Sequence, residues 1–145
     1  MHTTLPKEHY SISLIRVRYA ETDAMGIVHH ASYLPWFEVG RGDFGHKLKI
    51  PYSSVEARGF HFPLTEAFCR YKNASRYDDE LQVFTWISKV RSRSIRFEYE
   101  IYRKDGLPIA SGYTQHVVVR KDGRIVKMPS DIYKVYQRYD ASLIS

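Results

Sequence analysis

Cysteine is nearly absent from this sequence: Cys69 is the single cysteine among 145 residues. A lone thiol has no partner within the chain, so an internal disulfide framework is excluded and a reducing compartment is favoured. No apolar run approaches the roughly 18–20 residues that span a membrane, and the first residues lack the continuous apolar core of a signal peptide. We therefore expect a cytoplasmic protein without a transmembrane segment.

Several cofactor signatures are also missing. The seven histidines show no His-x-x-x-His spacing, and a single cysteine cannot form a Cys-x-x-Cys pair, so no zinc site is predicted. The glycine patterns of dinucleotide-binding and phosphate-binding loops are absent as well. We expect no metal and no organic cofactor, which disfavours nicotinamide and ATP chemistry.

What the sequence does contain is enough for one domain with its own core. We predict a single domain over residues 1–145, whose ends, about residues 1–10 and 140–145, are frayed. Lysine and arginine number 22 against 16 aspartates and glutamates, which gives a net charge of +6. This charge favours anionic partners, and nucleic acid, an acidic membrane surface and a phosphorylated small molecule all satisfy it.

The hydrophobic pattern predicts one strand, one long helix and then further strands. Residues 11–19 alternate apolar and basic side chains, as in a half-buried strand. A helix follows, with Ser32 as its cap, Pro35 in its first turn and Gly45 near its end. Its apolar residues recur at spacings of three and four: Tyr33, Trp36, Phe37, Gly40, Phe44 and Leu48.

Downstream, four segments have the alternation of antiparallel strands: residues 63–71, 81–90, 94–103 and 109–120. Lys-Asp-Gly turns at 104–106 and 121–123 predict hairpins. A last helix is predicted at residues 130–139, with a packing stripe of Tyr133, Val135, Tyr136 and Tyr139. This order predicts an α+β fold in which the long helix packs across one face of an antiparallel sheet, and a homodimer that covers an exposed edge or face.

Residues 19–41 carry the candidate chemistry, because an acidic loop leads there straight into the most apolar helix. A helix N-terminus presents unpaired N–H groups and about half a positive charge, so it attracts an anion or a developing oxyanion. Gly26 allows a tight turn that brings the Asp23 carboxylate towards the amides near His30. An aspartate is ionised at neutral pH and can attack a carbonyl or activate water without a partner base. This combination suits the hydrolysis of an acyl group.

The spacing Tyr19-x-x-Thr22-Asp23-x-x-Gly26-x-Val28-x-His30, followed by Tyr33, Trp36, Phe37, Glu38 and Arg41, resembles the signature of the hotdog-fold acyl-CoA thioesterases. It is most similar to the 4-hydroxybenzoyl-CoA thioesterase family and its Tol-Pal-associated bacterial branch. The resemblance implies a hotdog fold, in which a curved antiparallel sheet wraps a long central helix. It also implies a homodimer or homotetramer whose acyl sites lie between subunits.

The same resemblance implies roles for individual residues. Asp23 falls on the family's catalytic aspartate, as nucleophile or general base, and the His30 backbone N–H would polarise the thioester carbonyl. One such donor lowers the barrier by about 2.7–4 kcal/mol. The His30 side chain resembles a histidine of the Tol-Pal-associated branch and would orient substrate or water. The expected substrate-binding residues are Tyr19, Gly26, Val28, Tyr33, Phe37, Phe62, Arg91 and Arg93.

Ordinary structural interpretations stand beside these roles. Asp23 by itself would cap a turn, and His30 with its neighbour would be a solvated or packing pair. Glu38 is favoured as a hydrogen-bonding or ion-pairing residue rather than a catalytic one. Arg91 and Arg93 would hold the phosphates of CoA through their forked donors, but a solvated hairpin explains them equally well.

The predicted function is hydrolysis of an acyl-CoA thioester to a free acid and CoA. The open alternatives are an acyl carrier protein thioester as substrate, a hotdog dehydratase or hydratase, and a basic nucleic-acid-binding module. No ribonucleoprotein motif is present, so no specific nucleic acid is expected as a partner. The acyl group stays open, because an aromatic pocket admits aliphatic, branched, long-chain and benzoyl-type acids alike.

Overall fold

The computed structural model describes residues 4–144, which form a five-stranded antiparallel sheet with a long helix on one face. The helices are α1 (Tyr33–Lys47), α2 (Tyr52–Ala57) and α3 (Ser130–Arg138). The strands are β1 (Tyr10–Arg16), β2 (Phe60–His61), β3 (Leu64–Tyr71), β4 (Glu80–Arg91), β5 (Ser94–Arg103), β6 (Pro108–Val117) and β7 (Val119–Arg120). The main sheet has the order β1-β4-β5-β6-β3, and β2 pairs with β7 in a small second sheet. The predicted α+β hotdog architecture is confirmed.

Helix α1 packs on the sheet through the stripe that the sequence spacing predicts. Its buried residues are Tyr33, Trp36, Phe37, Gly40 and Phe44. Gly40 permits the closest approach, because a Cβ built there would overlap the Thr85 hydroxyl of β4. The absence of a side chain therefore sets the distance between the helix and the sheet.

The start of α1 differs from the prediction. Ser32 makes no capping hydrogen bond to the helix, and its hydroxyl instead donates to the Glu21 carbonyl oxygen at 3.2 Å. A short 3₁₀ turn, His30–Ser32, precedes α1, and the His29 side chain caps that turn by accepting from the Ala31 N–H at 3.0 Å. The cap lies three residues earlier than predicted because the 3₁₀ turn extends the helix towards the acidic loop.

Most other elements agree with the sequence pattern except at their edges, but the predicted strand 109–120 is divided into β6 and β7, which belong to different sheets. The first strand ends at Arg16 rather than at residue 19, and the 3₁₀ turn Tyr19–Glu21 follows it. Both Lys-Asp-Gly turns form, with Gly106 at φ 94° and Gly123 at φ 85°. Helix α2 has only six residues and was not predicted, because so short a segment has no measurable period.

Each described end of the chain contains a short 3₁₀ turn. Lys7–His9 form a 3₁₀ turn directly before β1. Near the other end, Asp140 is buried, and its carboxylate accepts from the Val90 and Ser142 N–H groups at 3.0 and 2.8 Å. Residues 1–3 and 145 lie outside the described residues.

Strand β3 forms one edge of the main sheet and is mostly exposed. Its large side chains Leu64, Phe68 and Tyr71 are 48%, 42% and 51% exposed. Of the helices in residues 4–144, none has the length and apolar character needed to span a bilayer. This edge strand presents unpaired backbone groups and apolar side chains at the surface.

Candidate active site

Asp23 lies in a tight turn that fixes one of its carboxylate oxygens. The Asp23 N–H donates to the Ile27 carbonyl oxygen at 2.8 Å, and the Gly26 N–H donates to the Asp23 carbonyl oxygen at 2.9 Å. Asp23 Oδ1 accepts from the Met25 N–H at 2.8 Å. Gly26 has φ 79°, the conformation that glycine was predicted to allow here. Oδ2 has no hydrogen-bond partner within residues 4–144, so one oxygen is anchored and the other is available.

Glu21 connects this loop to helix α1. Its side chain is almost fully buried, and Oε2 accepts from the Trp36 indole N–H at 2.9 Å. Oε1 accepts from the Arg18 N–H at 2.7 Å, and the Glu21 carbonyl oxygen accepts from the His29 N–H at 2.8 Å. Glu21 was not predicted as a site residue, because a single carboxylate before a helix carries no signal that distinguishes it from a solvated one.

The His30 backbone N–H lies at the first position of the 3₁₀ turn that leads into α1. Within residues 4–144 this N–H donates to no acceptor. The His30 side chain is exposed, with its ring 4.2 Å from the His29 ring. An unpaired N–H at the positive end of a helix is the arrangement that stabilises a developing oxyanion.

Tyr71, at the end of edge strand β3, contacts the same helix start. Its hydroxyl donates to the His30 carbonyl oxygen at 3.3 Å, and its ring lies 5.0 Å from the Tyr33 ring. Burial, with the neighbouring Cys69 thiol, raises the pKa of Tyr71. Burial also raises the pKa of Cys69, so both groups stay protonated at neutral pH and Tyr71 acts as a donor.

The predicted substrate-binding residues do not all face one space. Tyr19 is 77% exposed, and Gly26 forms the tip of the Asp23 turn. Val28, Tyr33 and Phe37 are buried in the core, where Phe37 stacks on Tyr99 with ring centres 4.2 Å apart. Contact between a substrate and these three side chains therefore requires the core to open.

Arg91 and Arg93 lie far from Asp23 within one chain. Both flank the exposed turn between β4 and β5. The Asp23 loop contacts the segment that precedes the opposite end of β4, since the Val28 N–H donates to the Ser75 carbonyl oxygen at 2.8 Å. At roughly 3.3 Å per residue, the strand between them spans roughly 35 Å. Any contact between these arginines and a ligand at Asp23 therefore depends on a second subunit.

A cavity lies beside the second half of α1. Its volume is about 380 Å³. Phe62 lines it, as predicted for a substrate-binding residue, whereas Asp23 and His30 do not. The other lining residues are Glu38, Arg41, Gly42, Phe44, Gly45, Ile50, Tyr52, Leu64, Phe97, His116 and Tyr136.

The Asp23 turn and this cavity therefore occupy different parts of one chain. Glu38 and Arg41 bring the second half of α1 to the cavity, and Leu64 brings the start of β3. The Asp23 turn lies at the other end of α1, where Tyr71 ends the same strand. No group of three or more metal-binding side chains was found between residues 4 and 144. The arrangement offers a carboxylate, an unpaired amide and a separate apolar cavity.

Comparison with known proteins identifies the class to which this fold and site belong. A family model described as the thioesterase-like superfamily matches residues 17–135, and the chain belongs to this family. The "Putative esterase" of Aquifex aeolicus is 36% identical over 120 residues, which cover 83% of this chain and 92% of that protein. The "Putative acyl-CoA thioesterase YneP" of Bacillus subtilis is 38% identical over 114 residues, covering 79% and 83%. The chain is thus an acyl-CoA thioesterase family hydrolase.

A solved structure supports the same class. The crystal structure of DHNA-CoA thioesterase from Staphylococcus aureus superposes with a TM-score of 0.86 at 32% identity, covering 89% of each chain. The similarity to a member of the Tol-Pal-associated branch covers a smaller part of the chain. YbgC of Haemophilus influenzae is 34% identical over 90 residues, which cover 61% of this chain and 66% of that protein. These similarities establish the family.

Proposed function

We propose that this protein hydrolyses acyl-CoA thioesters to a free acid and CoA, with Asp23 as its catalytic carboxylate and the His30 N–H as its oxyanion donor. The observation that carries the proposal is the Asp23 carboxylate itself. One oxygen is held by the turn, and the other is unpaired in a loop that continues into the start of α1. Membership of the thioesterase-like superfamily supports the reaction class.

Two routes through Asp23 are chemically complete. As a general base, Asp23 takes a proton from water while the oxygen attacks the thioester carbonyl, and the proton passes to the thiolate as the C–S bond breaks. As a nucleophile, Asp23 attacks the carbonyl directly, releases the CoA thiolate and leaves an anhydride that water hydrolyses. In both routes the carbonyl oxygen becomes negative and the His30 N–H stabilises it. A single turnover in water labelled with oxygen-18 tests the general-base route, because label in Asp23 arises only when water attacks the Asp23 carbonyl of the anhydride.

A second copy of the chain would complete the site. Antiparallel pairing of two β3 edges about a twofold axis puts Leu64 of one copy opposite the partner subunit's Tyr71. Leu64 lines the cavity, while Tyr71 bonds to the helix start that follows the Asp23 loop. The cavity of each chain would then face the partner subunit's Asp23. The exposed apolar side chains of β3 favour this pairing, and the dimer expected from the sequence follows from it.

The assignment to the Tol-Pal-associated branch is a finer proposal. It is supported by the Asp23-to-His30 spacing and by the similarity to YbgC. The choice between CoA and acyl carrier protein as the carrier of the acyl group is likewise a finer proposal. Parallel assays with one acyl group on both carriers decide it, since the carrier that is hydrolysed with the higher kcat/KM is the physiological type.

The test of the function is thiol release from a panel of acyl-CoAs by the wild type, Asp23→Asn and Asp43→Asn. Asp43 is the matched control, because it is an exposed aspartate on α1 with no hydrogen bond to the Asp23 turn. We expect Asp23→Asn to lower kcat by about a hundred- to ten-thousand-fold, the contribution typical of a catalytic acid or base, and Asp43→Asn to retain activity. Equal activity of the two folded variants would exclude Asp23 from catalysis.

A further inference from the structure

The Arg41 guanidinium lines the cavity beside α1 and has N–H donors without a partner among residues 4–144. Its side chain is half-buried, and its single hydrogen bond donates from Nη1 to the Tyr99 hydroxyl at 3.1 Å. Among residues 4–144 no carboxylate lies within ion-pairing distance of it. A guanidinium carries five N–H donors, so most of those of Arg41 have no acceptor among the described residues. A partly buried cation with free donors favours an incoming acceptor oxygen.

A chain of buried hydrogen bonds lies behind Arg41. The Tyr99 hydroxyl is 2.6 Å from Thr114 Oγ1, which is 2.9 Å from His116 Nε2. His116 Nδ1 is 2.9 Å from the Phe62 carbonyl oxygen. A carbonyl oxygen only accepts, so Nδ1 carries the proton and Nε2 accepts from Thr114. Thr114 then accepts from Tyr99, whose oxygen accepts from Arg41, and the direction of every bond is determined.

The protonation states of the chain agree with this direction. Burial lowers the pKa of His116 to about 4, and the nearby Arg41 charge lowers it as well, although the bond to Phe62 acts in the opposite sense. His116 is therefore neutral at physiological pH and its Nε2 can accept. Burial raises the pKa of Tyr99, which keeps its hydroxyl as a donor. The Tyr99 ring also stacks on Phe37, so the partner of Arg41 is rigidly held.

The rest of the cavity is suited to an apolar acyl group. Phe44, Phe62, Phe97 and Tyr136 contribute aromatic walls, and the volume of about 380 Å³ is in the range of small-ligand sites. Glu38 also lines the cavity, one helical turn before Arg41, and is exposed. A hydroxyl in the cavity could accept from Arg41 and donate to Glu38, whereas a carboxylate could only accept from Arg41.

We propose that Arg41 selects acyl groups that carry an acceptor oxygen at the end distant from the thioester, and that Tyr99, Thr114 and His116 position it. This inference rests on the proposed function, since it assigns the cavity to the acyl group. A plain hydrocarbon acyl group would leave the Arg41 donors desolvated and unpaired, which costs binding free energy. An oxygen-bearing group of the same size would restore those bonds. Arg41 is thereby a specificity-determining residue, and the three behind it are positioning residues.

The test uses matched substrates and the full-length protein. Adipoyl-CoA is compared with hexanoyl-CoA, and 4-hydroxybenzoyl-CoA with benzoyl-CoA, and kcat/KM ratios are taken within each pair. We expect at least one ratio to exceed unity in the wild type and to fall by about 10- to 100-fold in Arg41→Leu, the effect of losing a hydrogen bond to a charged group. Tyr99→Phe keeps the ring stack and should lower the same ratio less. Arg124→Leu, at an exposed turn, is the control and should leave it unchanged.

The two pairs also separate the two kinds of oxygen. A preference confined to adipoyl-CoA supports a carboxylate held by Arg41 alone, and one confined to 4-hydroxybenzoyl-CoA supports a hydroxyl shared with Glu38. Ratios near unity in the wild type, or ratios that Arg41→Leu does not change, overturn the inference. Arg41→Lys, which keeps the charge but loses the fork, provides a second variant if Arg41→Leu does not fold.

Calorimetry with the free acids distinguishes failure of this inference from failure of the proposed function. Adipate and 4-hydroxybenzoate are titrated into the wild type and Arg41→Leu, with hexanoate and benzoate as references. If no acyl-CoA is hydrolysed but an oxygen-bearing acid binds more tightly than its reference through Arg41, the thioesterase proposal fails and the selective cavity stands. If acyl-CoAs are hydrolysed but neither acid shows this preference, the reverse holds.

Discussion

The Tyr71 hydroxyl donates a hydrogen bond to the His30 carbonyl oxygen and so joins the edge strand of the sheet to the start of the central helix. The two residues are 41 positions apart in the chain, and the contact is 3.3 Å long. Tyr71 also packs edge-on against Tyr33, whose hydroxyl lies 3.2 Å from Ser75 Oγ. Strand β3 therefore supports the peptide that follows the proposed oxyanion donor.

Replacing Tyr71 with Phe should lower kcat/KM by about 2- to 10-fold, because one neutral hydrogen bond contributes about 0.5–1.5 kcal/mol. The ring contact with Tyr33 is kept. Tyr77→Phe is the matched control, since Tyr77 is an exposed tyrosine whose ring contacts Tyr19 and whose hydroxyl bonds to none of the residues between 4 and 144. Steady-state kinetics on the best acyl-CoA measures both variants. An unchanged Tyr71→Phe enzyme would show that this bond does not support catalysis.

Substitutions at His30 should separate its backbone from its side chain. His30→Pro removes the N–H, and proline fits the first position of a helical turn. The preceding His29 already has φ −67° and ψ 140°, the extended conformation that proline requires before it. We expect kcat to fall by about a hundred- to thousand-fold in His30→Pro, as when one oxyanion donor is lost. His30→Ala keeps the N–H and should lose less. Similar activity in both variants would assign the role to the side chain.

Mixed dimers should reveal whether two subunits build one site. Asp23→Asn removes the carboxylate, and Gly42→Trp fills the cavity, where a Cβ at Gly42 would have no atom of the described residues within 4 Å. Each variant alone should be inactive. A heterodimer purified through two affinity tags should recover about half of the wild-type activity, because one of its two shared sites is intact. An inactive heterodimer would place the carboxylate and the cavity of each working site in the same chain.

Burial of His116 should make the stability depend on pH between about 4 and 6.5. Its pKa is lowered to about 4 in the folded protein, against about 6.5 when unfolded, so the unfolded state binds the extra proton in this window. The free energy of unfolding should therefore decrease as the pH falls from 6.5 to 4, by about 3 kcal/mol from this residue. Urea unfolding at one protein concentration measures it.

The matched variants for this experiment are His116→Gln, which removes the titrating group, and His46→Gln, which changes an exposed histidine of α1. The pH dependence of the wild type should persist in His46→Gln and flatten in His116→Gln, whatever the absolute stability of either. Parallel curves for all three proteins would contradict a depressed pKa at His116.

The sequence alone was sufficient for the layers of the fold. Helix α1 was predictable because its buried residues recur with the helical period, and β5 because Ile95, Phe97 and Tyr99 alternate with charged residues. The Asp23 turn was predictable for a similar reason, since Asp and Gly at that spacing favour one local conformation. These features depend on residues that are close together in the chain, so their pattern can be read directly from the sequence.

The other features of the fold and the site depend on contacts between residues that are far apart in the chain. The bond between Asp140 and Val90, the connection between Glu21 and Trp36, and the chain of bonds from Arg41 to His116 join residues that are far apart in the chain. No local pattern marks such partners, because their hydrogen bonds form only after the sheet has set its strand order and register. The sequence by itself determined the class of fold and the candidate carboxylate. Only the tertiary structure decided that the carboxylate and the cavity lie at opposite ends of the helix, since strand pairing fixes which ends of the elements meet.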